Sequence, residues 1–313
     1  MIKDALYYSK ILLFGEYGII QDSMGLSVPF DDFKGNFLFE TKGDAQFEAY
    51  SNGELKKFLH YLKDISSQGE LSCSLDLVEF ERDLKEGMFF DSSIPSGFGV
   101  GSSGAIVAAI YGKYAIDKIE MSKQISNDDI LSLKKTFGEM ESYFHGKSSG
   151  LDPLICYLNI PILIKSKNEV GAVGLPEYTT GNGAIFLLDT GMTGKTAPLV
   201  QHFLERCKEV GFRTIMKKKF KKYNDAAIEA FLNNDISPLM DNVKRLSQVL
   251  LDNFKPMIPK VFHKLWKEGI ESNAYYLKLC GSGGGGFILG FTEDFEKAQA
   301  KLGDYELKRI YSF

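Results

Sequence analysis

Pro95-Ser96-Gly97-Phe98-Gly99-Val100-Gly101-Ser102-Ser103-Gly104-Ala105 is a glycine-rich run between a predicted strand, Glu86 to Ile94, and an apolar segment that predicts a helix. Glycines at alternate positions adopt backbone conformations that other residues rarely reach, and they bring N–H groups close to an anion. The N-terminus of the following helix also favours negative charge. The run therefore predicts a phosphate-binding loop, although a tight strand-to-helix turn with a serine cap remains the alternative.

Two common nucleotide-binding loops do not account for this run. A Walker A loop would need Gly-Lys-Ser or Gly-Lys-Thr, which is absent here. Gly99, Gly101 and Gly104 satisfy G-x-G-x-x-G, but no apolar strand ending in an acidic residue follows about 20 residues later. The dinucleotide-binding interpretation is therefore not supported.

Composition and charge limit the classes of function. The chain has 313 residues, of which 44% are hydrophobic and 25% charged, which is ordinary for a globular protein with two domains. A formal net charge of −4 gives no general basic surface, so we expect neither a nucleic acid nor a membrane as partner. The basic segment Lys217 to Lys222 is interpreted as a solvated surface segment. Four dispersed cysteines and a mixed N-terminus without a signal peptide predict a cytoplasmic protein.

The glycine-rich run resembles the second motif of the GHMP kinases, the family of galactokinase, homoserine kinase, mevalonate kinase and phosphomevalonate kinase. That motif is written P-x-G-x-G-L-G-S-S-A-A, and this chain has Val100 for its leucine and Gly104 for its first alanine. The resemblance implies that the loop binds ATP. The nucleotide-binding residues it implies are Pro95, Gly97, Gly99, Val100, Gly101, Ser102, Ser103 and Gly104.

A second segment, Tyr7 to Gly18, predicts a buried strand that ends at a glycine turn. Taken alone, Lys10 and Glu16 are ordinary charges at the ends of a strand. The segment is similar to the first GHMP motif, G-K-x-x-L-x-G-E-H, and Lys10 and Glu16 fall on its lysine and glutamate. Tyr17 stands where mevalonate kinases often carry a histidine.

A capping box at Ser126 to Asp129 predicts the start of a helix. Glu141 lies on the apolar side of this helix, where a carboxylate is costly unless it is paired or binds a cation. A salt bridge at the edge of the helix is the alternative. The run His145 to Pro153 then resembles the mevalonate kinase sequence H-G-x-P-S-G-x-D, with Ser148 in place of the proline. This resemblance implies that Asp152 is the catalytic base, paired with Lys10, and that Glu141 and Ser103 bind Mg²⁺.

A third glycine-rich run, Lys278 to Gly286, resembles the third GHMP motif, K-x-T-G-A-G-G-G-G. The substrate or third-motif residues implied by the resemblance are Glu16, Tyr17, Gly281, Ser282, Gly283 and Gly284. The stretch Asp189 to Thr196 is one residue short of a Walker A motif, because Asp189 occupies the position of the first glycine. A P-loop NTPase that uses Lys195 and Thr196 is therefore an alternative.

Taken together, the resemblance implies an α+β fold with two domains: a ribosomal-S5-like ATP-binding domain over residues 1–175 and a ferredoxin-like domain over residues 176–313, with the active site in the cleft. It implies a kinase that uses ATP and Mg²⁺ to phosphorylate a small alcohol, with mevalonate, the precursor of 5-phosphomevalonate in isoprenoid biosynthesis, as the expected acceptor. Phosphomevalonate kinase, another GHMP kinase and a non-catalytic binding protein on the same fold are the alternatives. The oligomeric state stays open, a homodimer included.

Overall fold

A computed structural model describes residues 5–39, 44–120, 125–177, 181–194 and 196–313; of His145 it describes the backbone alone. Lys195, the lysine of the P-loop alternative, lies outside the described residues.

The described residues form strands in both halves of the chain. In chain order they are β1 (Tyr7–Phe14), β2 (Gly25–Leu38), β3 (Phe89–Ser92), β4 (Ile162–Ser166), β5 (Glu169–Ala172), β6 (Ala184–Asp189), β7 (Tyr276–Leu279), β8 (Phe287–Thr292) and β9 (Leu307–Ser312).

Helices fill most of the remaining described chain. They are α1 (Ala45–Ser67), α2 (Leu77–Lys85), α3 (Ser102–Tyr114), α4 (Asn127–His145), α5 (Leu151–Leu158), α6 (Thr196–Arg206), α7 (Val210–Ile215), α8 (Lys221–Leu232), α9 (Ile236–Asn253), α10 (Phe262–Ser272) and α11 (Phe295–Lys301). Met216–Phe220 forms a π-helical turn between α7 and α8.

The strands belong to two sheets. The first has the order β1-β2-β4-β5, with β3 paired to the far end of β2, where Gly35 lies opposite Ser92. The second has the order β7-β8-β6-β9, and its strands are antiparallel. β6 is central in this second sheet, and its residues Ala184 to Leu188 are buried, as expected of an uninterrupted apolar run.

Residues cluster into two compact units, and neither is a single continuous segment. Unit 1 contains the residues up to Lys10, Pro29–Pro95 and Gly101–Ile160; unit 2 contains Ile11–Val28, Ser96–Val100 and Pro161–Phe313. β1 and β2 each contribute residues to both units, and so does the glycine-rich run 95–105. The boundary near residue 175 stays a prediction.

Helices α3, α4 and α5 pack against one another in unit 1, and α9 packs on β7 and β8 in unit 2. The predicted start of α4 with Ser126 as its N-cap is confirmed, because the hydroxyl of Ser126 accepts a hydrogen bond from the N–H of Asp129 at 3.1 Å. The helical period places Ile130, Leu133, Phe137, Met140 and Phe144 on one apolar stripe of α4; the first four are buried, whereas Phe144 is half-buried.

Two features of the structure differ from what the local pattern predicts. The sequence from Gly35 to Phe80 predicts short strands and one helix, Leu55 to Ile65, whereas the described residues there form the end of β2, the 23-residue helix α1 and the start of α2. Asp152 lies in the first turn of α5, not in a loop. The polar, glycine-containing run from His145 to Pro153 predicts a loop, but Pro153 is tolerated in α5 because the first turn of a helix leaves its N–H groups without intrahelical acceptors. Among the described residues, the helices include none with the length and apolar character that crossing a membrane requires.

Candidate functional site

Lys10 and Asp152 form an ion pair in unit 1, with Lys10 Nζ 2.8 Å from Asp152 Oδ1. The lysine side chain is 3% exposed, whereas the aspartate side chain is 40% exposed. The cation is thus held in the interior at the middle of β1, while the carboxylate keeps access to solvent. This arrangement leaves Asp152 able to meet a substrate hydroxyl.

The position of Asp152 follows from how α5 begins. Gly150 precedes the helix with φ +71°, and a Cβ on it would lie 2.6 Å from the amide nitrogen of Gly138 in α4. The loop before α5 therefore runs directly against α4. A carboxylate in the first turn of a helix is also stabilised by the partial positive charge of the helix N-terminus.

The glycine-rich run delivers its last residues to the same place in unit 1. Gly101, with φ +88°, precedes α3, and a Cβ on it would lie 3.0 Å from Cγ of Lys10. A Cβ on Gly104 would lie 2.8 Å from the carbonyl carbon of Asp152. The N-cap Gly101 is therefore in contact with Lys10, and the first turn of α3, which contains Ser102 and Ser103, is in contact with Asp152. N–H groups in that turn have no preceding carbonyl to bind, which suits an anion.

Glu141 lies beside this group and is 4% exposed. Its Oε1 accepts a hydrogen bond from the hydroxyl of Ser103 at 3.2 Å, and its Oε2 accepts one from the hydroxyl of Ser148 at 2.5 Å. Burial, followed by the negative charge of Asp152, raises the pKa of Glu141 to about 7. The contacts with the two serines explain how the carboxylate is oriented.

These residues fit a bound Mg²⁺. The raised pKa shows that the surroundings disfavour the negative charge of this buried carboxylate, and a bound divalent cation would stabilise that charge. Among the described residues, no cluster of three or more histidine, cysteine, aspartate or glutamate side chains could hold a metal ion. Mg²⁺ commonly binds to only one or two protein carboxylates together with phosphate oxygens and water, so this sparse set of ligands suits it.

Of the other predicted residues, Pro95 belongs to unit 1 and the rest lie in unit 2, where the glycine-rich runs 95–105 and 278–286 meet backbone to backbone. A Cβ on Gly99 would lie 2.8 Å from the carbonyl oxygen of Cys280, and one on Gly281 would lie 3.1 Å from Cα of Gly99. Val100 is fully buried. Because Gly99 and Gly281 have no side chains, the two segments approach more closely than side chains would allow.

Glu16 and Tyr17 connect the turn after β1 to the third run. Glu16 and Lys278 form an ion pair in which both side chains are almost completely buried. Burial lowers the pKa of Lys278. The hydroxyl of Tyr17 donates to the carbonyl oxygen of Ser282 at 2.7 Å.

The polar groups of the stretch from Asp189 to Gly194 form hydrogen bonds with other atoms of the protein. Asp189 Oδ1 accepts from the N–H of Gly191 at 2.8 Å, and the N–H of Gly194 donates to the carbonyl oxygen of Gly97 at 3.2 Å. Thr196 is 3.0 Å from the hydroxyl of Ser282. In a P-loop such N–H groups point at phosphate. Because the N–H of Gly194 binds a carbonyl oxygen of the protein instead, the structure does not favour the P-loop alternative.

The sequence does not mark two polar residues of these groups as functional candidates. Ser148 stands in place of the proline of the family sequence, yet its hydroxyl binds Glu141. Lys278 carries a charge within the apolar segment Tyr275 to Leu279, and a charge in a predicted buried strand signals a paired partner. The structure thus places the predicted residues in two groups, one around Lys10 and Asp152 in unit 1 and one around the third run in unit 2.

Two family models match the chain in order. Residues 62–159 match the model described as GHMP kinases N terminal domain, and residues 227–305 match the one described as GHMP kinases C terminal. Together the two matches cover more than half of the chain.

Individual proteins are similar over nearly the full length. The mevalonate kinase of Thermococcus onnurineus (strain NA1) is 24% identical over 306 residues, which cover 91% of this chain and 88% of that protein. The crystal structure of L. major mevalonate kinase in complex with R-mevalonate is 16% identical with a TM-score of 0.61, covering 100% of this chain and 98% of the other. The structure of Streptococcus pneumoniae phosphomevalonate kinase in complex with phosphomevalonate and AMPPNP is 14% identical with a TM-score of 0.63, and the match covers 99% of this chain and 100% of the other. The likeness confirms the predicted two-domain α+β fold.

Proposed function

Because this chain belongs to the GHMP kinases, we propose that it transfers the γ-phosphoryl group of ATP to the hydroxyl of a small alcohol, with mevalonate as acceptor. The observation that carries the proposal is the Lys10–Asp152 ion pair, 2.8 Å long, against the first turn of α3. Mevalonate is favoured by the names of the similar proteins and by the sequence of the His145 to Asp152 run.

Phosphoryl transfer depends mainly on in-line placement of the reactants and on neutralisation of charge. In the proposed reaction, the N–H groups of the 97–103 run hold the phosphates of ATP. Asp152 accepts the proton of the acceptor hydroxyl through its exposed carboxylate, as a positioned general base. Lys10 fixes that carboxylate and stabilises the negative charge that develops on the acceptor oxygen or the γ-phosphoryl group.

Ser103 and Glu141 would hold Mg²⁺, which would supply positive charge to the phosphate oxygens. Ser148 contributes indirectly, because its hydrogen bond orients Oε2 of Glu141. Gly97 and Gly99 belong to the phosphate-binding run, whereas Gly281 to Gly284 form the loop in contact with Gly99. The predicted roles of Pro95, Val100, Ser102 and Gly104 are proposed on the same basis.

The test is a coupled assay of ADP release with four acceptors: mevalonate, phosphomevalonate, galactose and homoserine. We expect turnover with mevalonate to exceed turnover with each of the others. Preferential turnover of phosphomevalonate would transfer the assignment to phosphomevalonate kinase. No ADP release with any acceptor, from a protein that binds ATP, would replace the proposal with a non-catalytic binding function.

A further inference from the structure

The turn after β1 places a tyrosine in a backbone conformation that tyrosine rarely adopts. Tyr17 has φ 60° and ψ −32°, and the N–H of Gly18 donates to the carbonyl oxygen of Glu16 at 2.6 Å. This i to i+2 hydrogen bond defines a γ-turn, and the form with positive φ is rare and strained. Such strain persists only where surrounding contacts determine the conformation, and it is concentrated at functional sites.

The side chain of Tyr17 makes contacts that hold this conformation. Its ring is buried, with its centroid 4.7 Å from that of Phe203 and 5.7 Å from that of Phe254. Its hydroxyl, at the far end of the ring, donates to the carbonyl oxygen of Ser282 at 2.7 Å. The tyrosine therefore joins an apolar cluster on one side and the glycine loop on the other.

The neighbouring residue makes a second connection to the same segment. Glu16 pairs with Lys278, and the ammonium group also donates to the carbonyl oxygen of Leu279 at 3.0 Å. It lies over the ring of Phe14, 5.6 Å from the centroid. A buried ion pair is costly to break, because loss of one partner leaves the other charge uncompensated in the interior. The γ-turn is thus attached to Lys278, just before the glycine loop, and to Ser282 within the loop.

The loop Gly281–Gly286 has little means of fixing its own conformation. Ser282 is its one residue with a side chain, and glycine has the largest conformational entropy to lose. The second half of the loop is held through its backbone. The N–H of Gly284 donates to the carbonyl oxygen of Met257 at 2.6 Å, and the N–H of Gly286 donates to the carbonyl oxygen of Met192 at 2.5 Å. The first half is held at Ser282, whose carbonyl oxygen accepts from Tyr17 and whose hydroxyl donates to that of Thr196 at 3.0 Å.

We propose that Tyr17 is a positioning residue, which holds the first half of the loop Gly281–Gly286 through its hydroxyl while the Glu16–Lys278 ion pair anchors the turn. The proposal rests on the proposed function for its effect on catalysis, because the loop lies against Gly99 of the phosphate-binding run. In this proposal Tyr17 acts through the backbone of the loop and is not a catalytic residue.

Tyr17→Phe tests this, since it removes the hydroxyl and keeps the ring in its cluster. Tyr311→Phe is the matched control in the same unit: it removes a tyrosine hydroxyl that donates to the carbonyl oxygen of Pro176 at 2.5 Å. We expect amide hydrogen exchange at residues 281–284 to be about tenfold faster in Tyr17→Phe and unchanged in Tyr311→Phe. We also expect kcat/KM to fall by about 10- to 100-fold in Tyr17→Phe alone, with similar melting temperatures for the two variants.

Glu16→Gln, which removes the charge from the anchor, should accelerate exchange at the same amides. Wild-type exchange at residues 281–284 in both Tyr17→Phe and Glu16→Gln would overturn the proposal. Faster exchange with unchanged kcat/KM would overturn its catalytic part. If the wild-type protein releases no ADP with any acceptor but Tyr17→Phe still accelerates exchange, the positioning role is supported and the kinase proposal fails.

Discussion

In the proposed reaction, Asp152 and Lys10 would divide the requirements of a general base between two side chains. The buried lysine fixes one carboxylate oxygen, and the exposed part of the aspartate remains available to a substrate. A general base must lie within hydrogen-bonding distance of the proton it removes, so this combination of restraint and access matters more than either side chain alone.

Asp152→Asn should therefore separate binding from chemistry. Asparagine has nearly the same shape but cannot take the proton, so turnover should fall by about 10²–10⁴-fold while ATP affinity stays close to the wild-type value. Steady-state kinetics with mevalonate and ATP titration measure the two effects.

Lys10→Met extends this test. If the two residues act as one unit, the double variant Lys10→Met/Asp152→Asn should be much less impaired than the product of the single effects predicts. Near-normal turnover by Asp152→Asn would rule out the role of base.

If Glu141 is a metal ligand, as proposed, it should link metal binding to stability. Its folded-state pKa of about 7 lies above the ordinary value of 4.5, so the folded chain binds this proton more tightly than the unfolded chain. Metal-free stability should then fall as the pH rises from 4.5 to about 7, and the full penalty should persist above that range. Glu141→Gln should thus stabilise the metal-free protein at pH 8, by about 1–3 kcal/mol, and have little effect near pH 4.5. Denaturant unfolding at the two pH values measures this.

The same variant should raise the Mg²⁺ concentration needed for half-maximal turnover, since it weakens a proposed ligand. Glu139→Gln is the control on α4, because the carboxylate of Glu139 binds Ser72 instead. An equal Mg²⁺ requirement in wild type and Glu141→Gln would exclude Glu141 as a ligand.

Among the secondary-structure elements, α3 and α5 meet at Gly104. A Cβ on this residue would lie 2.8 Å from the carbonyl carbon of Asp152 and 2.9 Å from the nitrogen of Pro153, both of them backbone atoms. Backbone atoms cannot move aside as a flexible side chain can. The glycine that replaces alanine of the family motif thus permits the close packing of the two helices in this chain.

Gly104→Ala should accordingly destabilise the fold by about 1–3 kcal/mol, because it forces the two first turns apart. Turnover should fall by about 10- to 100-fold, since the displacement moves Asp152. Gly53→Ala is the matched control: Gly53 lies within α1, nothing would contact its Cβ within 4 Å, and alanine there should stabilise the helix by about 0.5–1 kcal/mol. Thermal unfolding and steady-state kinetics of the two variants measure these effects. A Gly104→Ala variant with wild-type stability and turnover would contradict the close packing of α3 and α5.

Binding of the proposed nucleotide should stabilise the folded protein. MgATP at one hundred times its dissociation constant should add about 2.7 kcal/mol to the free energy of unfolding. Gly101→Ala should remove most of this gain, because it strains the loop and presses on Lys10. Gly69→Ala is the control, since Gly69 has φ +71° but open space around it. Equal thermal shifts with MgATP in the two variants would refute the phosphate-binding role of the loop.

Features that depend on neighbours along the chain were predictable. The start of α4 at Ser126, its apolar stripe and the placement of Glu141 on that stripe follow from a capping residue and a helical period, which act over a few residues. The glycine spacing of residues 97–101 likewise indicates a turn into a helix. Family resemblance added the order of the three motifs and paired Lys10 with Asp152, and the structure places the two in contact.

Only the tertiary structure decided what faces each of these residues. No local pattern indicates that Gly104 must lack a side chain, that Ser148 orients Glu141, or that Tyr17 binds the carbonyl of Ser282. The Glu16–Lys278 pair joins residues 262 positions apart. Such contacts arise when packing brings distant segments together, and their energy depends on burial and distance, quantities that exist only once the chain has folded.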